Sequence, residues 1–182
     1  IYLEPMGYDV LFGASMPVAF EFKDTFGRKK TRRSQNDELR KVHTAGIKYV
    51  VYSDPDGPLP SQMRAAPPTL PRGFEVYTKI PDEIPQRVRD LAIQITRGAS
   101  NNYDKAEALR IWLQNELEYT LQMEDPGDME PVDFFLFERR KGHCEYFSSA
   151  MAIMGRAVGL PTRNVNGFLG GHWNSAGDYI AV

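Results

Sequence analysis

One cysteine, Cys144, stands in the run Gly142-His143-Cys144-Glu145, immediately ahead of a segment with helical periodicity. A thiol at a helix start can do chemistry. The unpaired N–H groups and the positive end of the helix dipole favour thiolate over thiol. The thiolate is the nucleophile. The Cys144 N–H can also donate to a developing oxyanion, as helix N-termini do in acyl transfer. Gly142 lets the backbone turn sharply and leaves room for a substrate beside the sulfur. The same residue also admits a plainer reading, a structural cysteine that only packs. A single cysteine excludes an internal disulfide and a multi-cysteine metal site.

A nucleophilic thiol needs a base, and the base needs an orienting partner. Three histidines are present. His143 adjoins Cys144, and its side chain is expected to project away from the sulfur. His43 lies in a β-rich segment well upstream. His172 lies in a Gly-rich turn, an ordinary place for a surface histidine, and reaches the sulfur only if that turn folds back. None of the three is a convincing base. Asp125, Asp128 and Glu130 form a short acidic loop that lacks the spacing of a calcium loop. It reads as a solvated turn, and neither a metal nor a cofactor is expected.

The elements that must position Cys144 follow from periodicity. Residues 145–158 carry Phe147, Ala150, Met151, Met154 and Val158 at helical spacing. Small residues on several sides suggest a central helix packed all round. Upstream, Val88, Leu91, Ala92 and Ile95 give one helix after Pro85, closed by Gly98. Ala108, Ile111, Trp112 and Leu113 give another, beginning near Tyr103-Asp104. The run Pro131-Val132-Asp133-Phe134-Phe135-Leu136-Phe137 predicts a short buried helix whose phenylalanines belong to the core. Residues 162–168 read as a strand, Gly170-Gly171 as a turn, and residues 178–182 as a second strand.

The first 53 residues are β-rich. Val18-Ala19-Phe20-Glu21-Phe22-Lys23 and Ile47-Lys48-Tyr49-Val50-Val51-Tyr52 are rich in β-branched and aromatic residues. Residues 24–27 read as a turn. Residues 28–33 hold five basic residues in six. Without interleaved aromatics that run reads as a defended edge or hairpin, not as a nucleic-acid or lipid contact. Residues 54–85 then hold eight of the thirteen prolines. They read as an extended connector with a short strand at Phe74–Thr78. The division expected is residues 1–80, a β-rich N-terminal part with its proline-rich connector, and residues 81–182, the second part.

Composition narrows the classes further. The 182 residues are 42% hydrophobic and 25% charged, with a net charge of −2, the profile of a globular chain. No run reaches the roughly 18 apolar residues a membrane-spanning helix needs, and no signal peptide is visible. The chain begins at Ile1, so an excised or processed piece is expected.

The segment from Tyr119 onward resembles a known family. The residues that carry the resemblance are Tyr119-Thr120-Leu121, Asp133-Phe134-Phe135-Leu136-Phe137, Gly142-His143-Cys144-Glu145-Tyr146-Phe147, Gly159-Leu160-Pro161-Thr162-Arg163 and Asn166-Gly167-Phe168. They resemble the bacterial transglutaminase-like family, in particular its TgpA-like membrane-protein group. The resemblance implies an α+β fold: a β-rich N-terminal part plus the helical half of a papain-like core, its central helix opened by Cys144, ending in two strands. It makes Cys144 the nucleophile, Gly142 the glycine before it, Arg163 a structural arginine where a strand starts, and Tyr119 a candidate oxyanion partner.

The family's histidine lies in an Ala-His-Ala-Trp-like motif and its aspartate in an Asp-Pro-like motif, and residues 1–182 contain neither. Both are expected beyond Val182, so a truncated core, inactive alone, is expected. The implied function is thiol-dependent acyl transfer on a glutamine-type amide of a protein or peptide, through a thioester. A cysteine peptidase or amidase, and a non-catalytic protein-binding module, remain the alternatives. The resemblance further implies a bacterial protein whose membrane-anchored parent carries this domain in the periplasm or outside the cell. A homodimer, or a swap of the terminal strands, is the expected assembly, and no nucleic-acid partner is expected.

Overall fold

The computed structural model describes residues 1–3, 10–13, 17–22, 32–33, 38–41, 46–54, 56–122, 124–167 and 170–181. His43 and most of the runs 24–27 and 28–33 lie outside these. Chain contacts divide the molecule into two units, residues 1–58 with 169–182, and residues 59–168.

In the first unit the β-branched and aromatic runs form the expected strands. Strands β1 (Tyr2–Leu3), β2 (Pro17–Phe22), β3 (Arg32–Arg33), β4 (Leu39–Arg40) and β5 (Ile47–Ser53) appear in chain order. An antiparallel sheet runs β1-β5-β2, and β3 pairs with β4. Tyr49 is fully buried with Leu11 and Ile47, and Phe20 and Phe22 flank its ring. Its hydroxyl donates to the Phe12 carbonyl at 3.0 Å and accepts the Phe12 N–H at 2.9 Å. Burial pushes the phenol above its ordinary pKa.

The proline-rich stretch differs from the expected extended connector. A short helix α1 (Pro60–Ala65) forms there, with proline at its first position, where a missing N–H costs nothing. Phe74–Thr78 is a 3₁₀ helix, not a strand. The stretch Pro71-Arg72-Gly73 leads into it, with Gly73 at φ 90°, and this turn starts a helical segment where strand-like composition suggested β.

The second unit is built on helices α2 (Gln86–Thr96) and α3 (Asn102–Glu116). Strand β6 (Glu118–Tyr119) follows, then α4 (Pro131–Asp133), which passes directly into a π-helical turn (Phe134–Arg139). Strand β7 (Lys141–Gly142) and helix α5 (Cys144–Ala157) come next. Helices α2, α3 and α5 each touch the other two. Their apolar stripes bury Val88, Ala92, Leu109, Leu113, Ala150 and Met154, with Phe135 and Leu136 from the π turn. Of the three phenylalanines expected in the core, Phe135 is buried in it, Phe137 packs against it half-buried, and Phe134 is half-buried.

The predicted strand at residues 162–168 is absent over its described residues. Thr162 is instead held by bonds. Its N–H donates to the Tyr77 carbonyl at 3.0 Å and its hydroxyl to the Ala152 carbonyl at 2.7 Å. Arg156 reaches its carbonyl at 2.9 Å and the Lys79 carbonyl at 3.0 Å. The Thr162 N–H and C=O, the groups a strand neighbour would need, are thus taken by the Tyr77 carbonyl and the Arg156 guanidinium. The terminal hairpin pairs β8 (His172–Asn174) with β9 (Tyr179–Ala181), so His172 opens a strand and is not in the turn between two strands.

Candidate active site

Cys144 occupies the first position of the fourteen-residue α5 and is exposed. The helix start is set by the segment before it. Arg140, with φ 57°, ends the π turn, and its N–H donates to the Phe135 carbonyl at 3.0 Å. The chain then runs straight through β7, which pairs in parallel with β6 in the register Glu118 to Lys141 and Tyr119 to Gly142. The Glu118 N–H donates to the Arg140 carbonyl at 3.0 Å, and the Thr120 N–H to the Gly142 carbonyl at 2.9 Å. A strand held on one side therefore delivers the chain to Cys144.

The structure gives Gly142 a different reason from the clearance expected of it. Gly142 is buried, and a Cβ there would stand 3.1 Å from Phe135 Cε2 and 3.0 Å from Tyr146 Cβ. The missing side chain lets β7 press on the core beneath α5, a packing role set by close approach.

The first turn of α5 distributes its N–H groups unevenly. Those of Tyr146 and Phe147 donate to the His143 carbonyl at 3.1 and 3.3 Å. The Glu145 N–H donates to His143 Nδ1 at 3.1 Å. The Cys144 N–H has no acceptor among the described residues. The amide next to the sulfur is thus the one left to meet a ligand oxygen.

Tyr119 is brought to this end of α5. Its ring stacks on Phe147 at a centroid distance of 6.3 Å, and Phe147 lies one turn along α5 from Cys144. Phe147 in turn meets Phe135 edge-on at 5.0 Å. Arg163 lies in the strand-free segment, and His172 in the first unit.

His143 differs from expectation. Its ring does not project away: Nδ1 lies 4.0 Å from Cys144 Sγ. Sequence reading missed this because the usual N-cap residues are Ser, Thr, Asp and Asn, so a histidine is not read as one. It also missed the support under the π turn. Asp133 is 5% exposed, and Arg87 grips it at 2.5 and 2.6 Å while reaching Glu138 at 3.2 Å and covering the Phe137 ring. The Asp133 carboxylate holds the Arg87 guanidinium well above its ordinary pKa. Among the acidic-loop residues, Asp125 accepts the Gly127 N–H at 2.9 Å, and Glu130 caps α4.

Helices α2, α3 and α5 thus form one core, and α5 opens on an exposed cysteine. The family model described as Transglutaminase-like superfamily matches residues 89–182, and the chain belongs to that superfamily. It is 39% identical over 106 residues to the protein YebA of Bacillus subtilis, spanning 56% of this chain and 14% of that protein. It is 45% identical over 64 residues to a protein-glutamine gamma-glutamyltransferase of Pseudomonas aeruginosa, spanning 35% of this chain and 9% of that protein. The crystal structure of the periplasmic domain of TgpA from Pseudomonas aeruginosa matches with a TM-score of 0.72 and 25% identity, over 98% of this chain and 58% of that one. The α+β fold is thus that of the TgpA periplasmic domain. The chain spans only a small part of the curated relatives it matches, and little more than half of the solved domain.

Proposed function

We propose that this chain carries the nucleophile of a transglutaminase-like acyl-transfer site. The Cys144 thiolate attacks the carbonyl carbon of a glutamine-type side-chain amide. The S–C bond forms, the C–N bond breaks, and the nitrogen takes a proton and leaves as ammonia. A primary amine then resolves the thioester to a new amide, or water resolves it to a carboxylate. The observation that carries this reading is an exposed cysteine, its own N–H without an acceptor among the described residues, at the first position of α5 in a chain of the Transglutaminase-like superfamily. The Cys144 N–H is one oxyanion donor in this reading, and Tyr119 a supporting neighbour.

The donor in this reading is a protein or peptide, as the printed name of the Pseudomonas relative suggests. The base and its orienting carboxylate come from outside residues 1–182, so these residues alone are inactive. The periplasmic location of the structural relative supports a domain on that face of a membrane-anchored parent. Among the described residues no helix is long and apolar enough to cross a membrane. Self-association would run through the β8–β9 hairpin, where the cross-strand pair Trp173 and Ile180 is exposed.

The test uses a longer protein that contains residues 1–182, with a glutamine peptide and a primary amine. Ammonia release with amine incorporation, both lost in Cys144→Ser, is the expected result. Peptide cleavage without ammonia would move the assignment to a peptidase. A Cys144 that resists alkylation would leave a binding module.

A further inference from the structure

His143 sits directly before the nucleophile, and its imidazole turns back over the first turn of α5. The Glu145 N–H donates to Nδ1 at 3.1 Å, so Nδ1 carries no proton and the neutral ring bears its proton on Nε2. The same Nδ1 lies 4.0 Å from Cys144 Sγ. Tyr146 fixes the ring edge-on at a centroid distance of 5.3 Å. The nitrogen that caps the helix is therefore also the one that faces the sulfur.

We infer that His143 is a positioning residue for Cys144, holding the first turn of α5 and with it the sulfur through the Nδ1 cap, and that it is not the base. A base would accept the thiol proton on Nδ1. Its lone pair already receives the Glu145 N–H. A proton there sets two N–H donors against each other and releases the helix end that holds the nucleophile. The inference rests on Cys144 being the nucleophile proposed above, whereas the cap does not. The titratable groups on the elements around the ring are Cys144, Glu145, Tyr146 and Arg156 on α5, Lys141 on β7, and Glu118 and Tyr119 on β6.

The experiment compares wild type, His143→Ala and His143→Asn. It reads the ring tautomer by nitrogen NMR, hydrogen exchange of the Glu145 amide, and the pH profile of Cys144 alkylation. We expect the Nε2–H tautomer in wild type. In His143→Ala, exchange at Glu145 should quicken by about fivefold, and alkylation should slow by about two- to fivefold, the scale of a lost cap. In His143→Asn, whose side-chain oxygen can take the same N–H, both should return toward wild type.

An Nδ1–H tautomer, or unaltered exchange in His143→Ala, would remove the cap. Alkylation as slow in His143→Asn as in His143→Ala, with exchange restored, would assign the imidazole a proton-transfer role and overturn the inference. A Cys144 unreactive in wild type with the cap intact would sink the nucleophile reading instead, leaving a cap that positions nothing.

Discussion

Tyr119 and Gly142 stand opposite each other in the parallel pair β6–β7, two residues before the candidate nucleophile. That register joins the end of α3 to the start of α5. It places the Tyr119 ring on Phe147 and leaves Gly142 pressed against Phe135 and Tyr146. The cysteine is presented by a strand with a core beneath it, and the consequences can be measured.

The cradle around Gly142 predicts the cost of a methyl group. In Gly142→Ala the new Cβ meets the Tyr146 Cβ and the Phe135 ring at 3.0 and 3.1 Å, so side chain or strand must shift. Overpacking of this kind costs about 1–3 kcal/mol. Urea unfolding should show that loss, together with slower alkylation of Cys144. Unchanged stability would mean that β7 moves away freely.

Phe135 is the residue under both partners. It is 1% exposed and touches Tyr146 and Phe147 with its ring. Phe135→Ala should cost about 3–5 kcal/mol. Thermal unfolding checks this, and a loss below about 1 kcal/mol would place the core elsewhere.

Arg87 and Asp133 tie α2 to the start of the π turn. Removing the guanidinium in Arg87→Met strands a nearly buried carboxylate, which costs more than the pair itself contributes. Its midpoint should fall further than that of Glu138→Gln, because Glu138 is half exposed and held at 3.2 Å. Adding Asp133→Asn to Arg87→Met should recover part of the loss. Equal effects of Arg87→Met and Glu138→Gln would contradict the burial argument.

Asp104 gives a pH dependence of known sign. Arg64 and then Asn101 bond its carboxyl and lower its pKa from the ordinary value. A carboxyl with a folded pKa below its unfolded one contributes stability above the unfolded value, about 3.9 for Asp. That contribution is lost as the pH falls through the folded value. Stability of wild type measured from about pH 6 to about pH 3 should therefore fall more steeply than that of Asp104→Asn. Parallel curves would remove the linkage.

Much of the site was legible in the sequence because it rests on local patterns. A cysteine after glycine and histidine, ahead of apolar residues at helical spacing, determines a helix with a thiol at its positive end. The strands at Pro17–Phe22 and Ile47–Ser53 follow from β-branched and aromatic composition, and helices α2, α3 and α5 from their period. What only the tertiary structure decided depends on partners remote in sequence. Residues 162–167 read as a strand, yet Thr162 finds carbonyls at Tyr77 and Ala152 and stays out of a sheet. Gly142 looks like clearance for a ligand until Phe135 and Tyr146 are seen against it. His143 shows as a cap only once the helix end and the ring share one frame. Periodicity specifies which face of an element is buried. Which groups close on one another is set by the packing of several elements at once, and no single window of sequence contains that information.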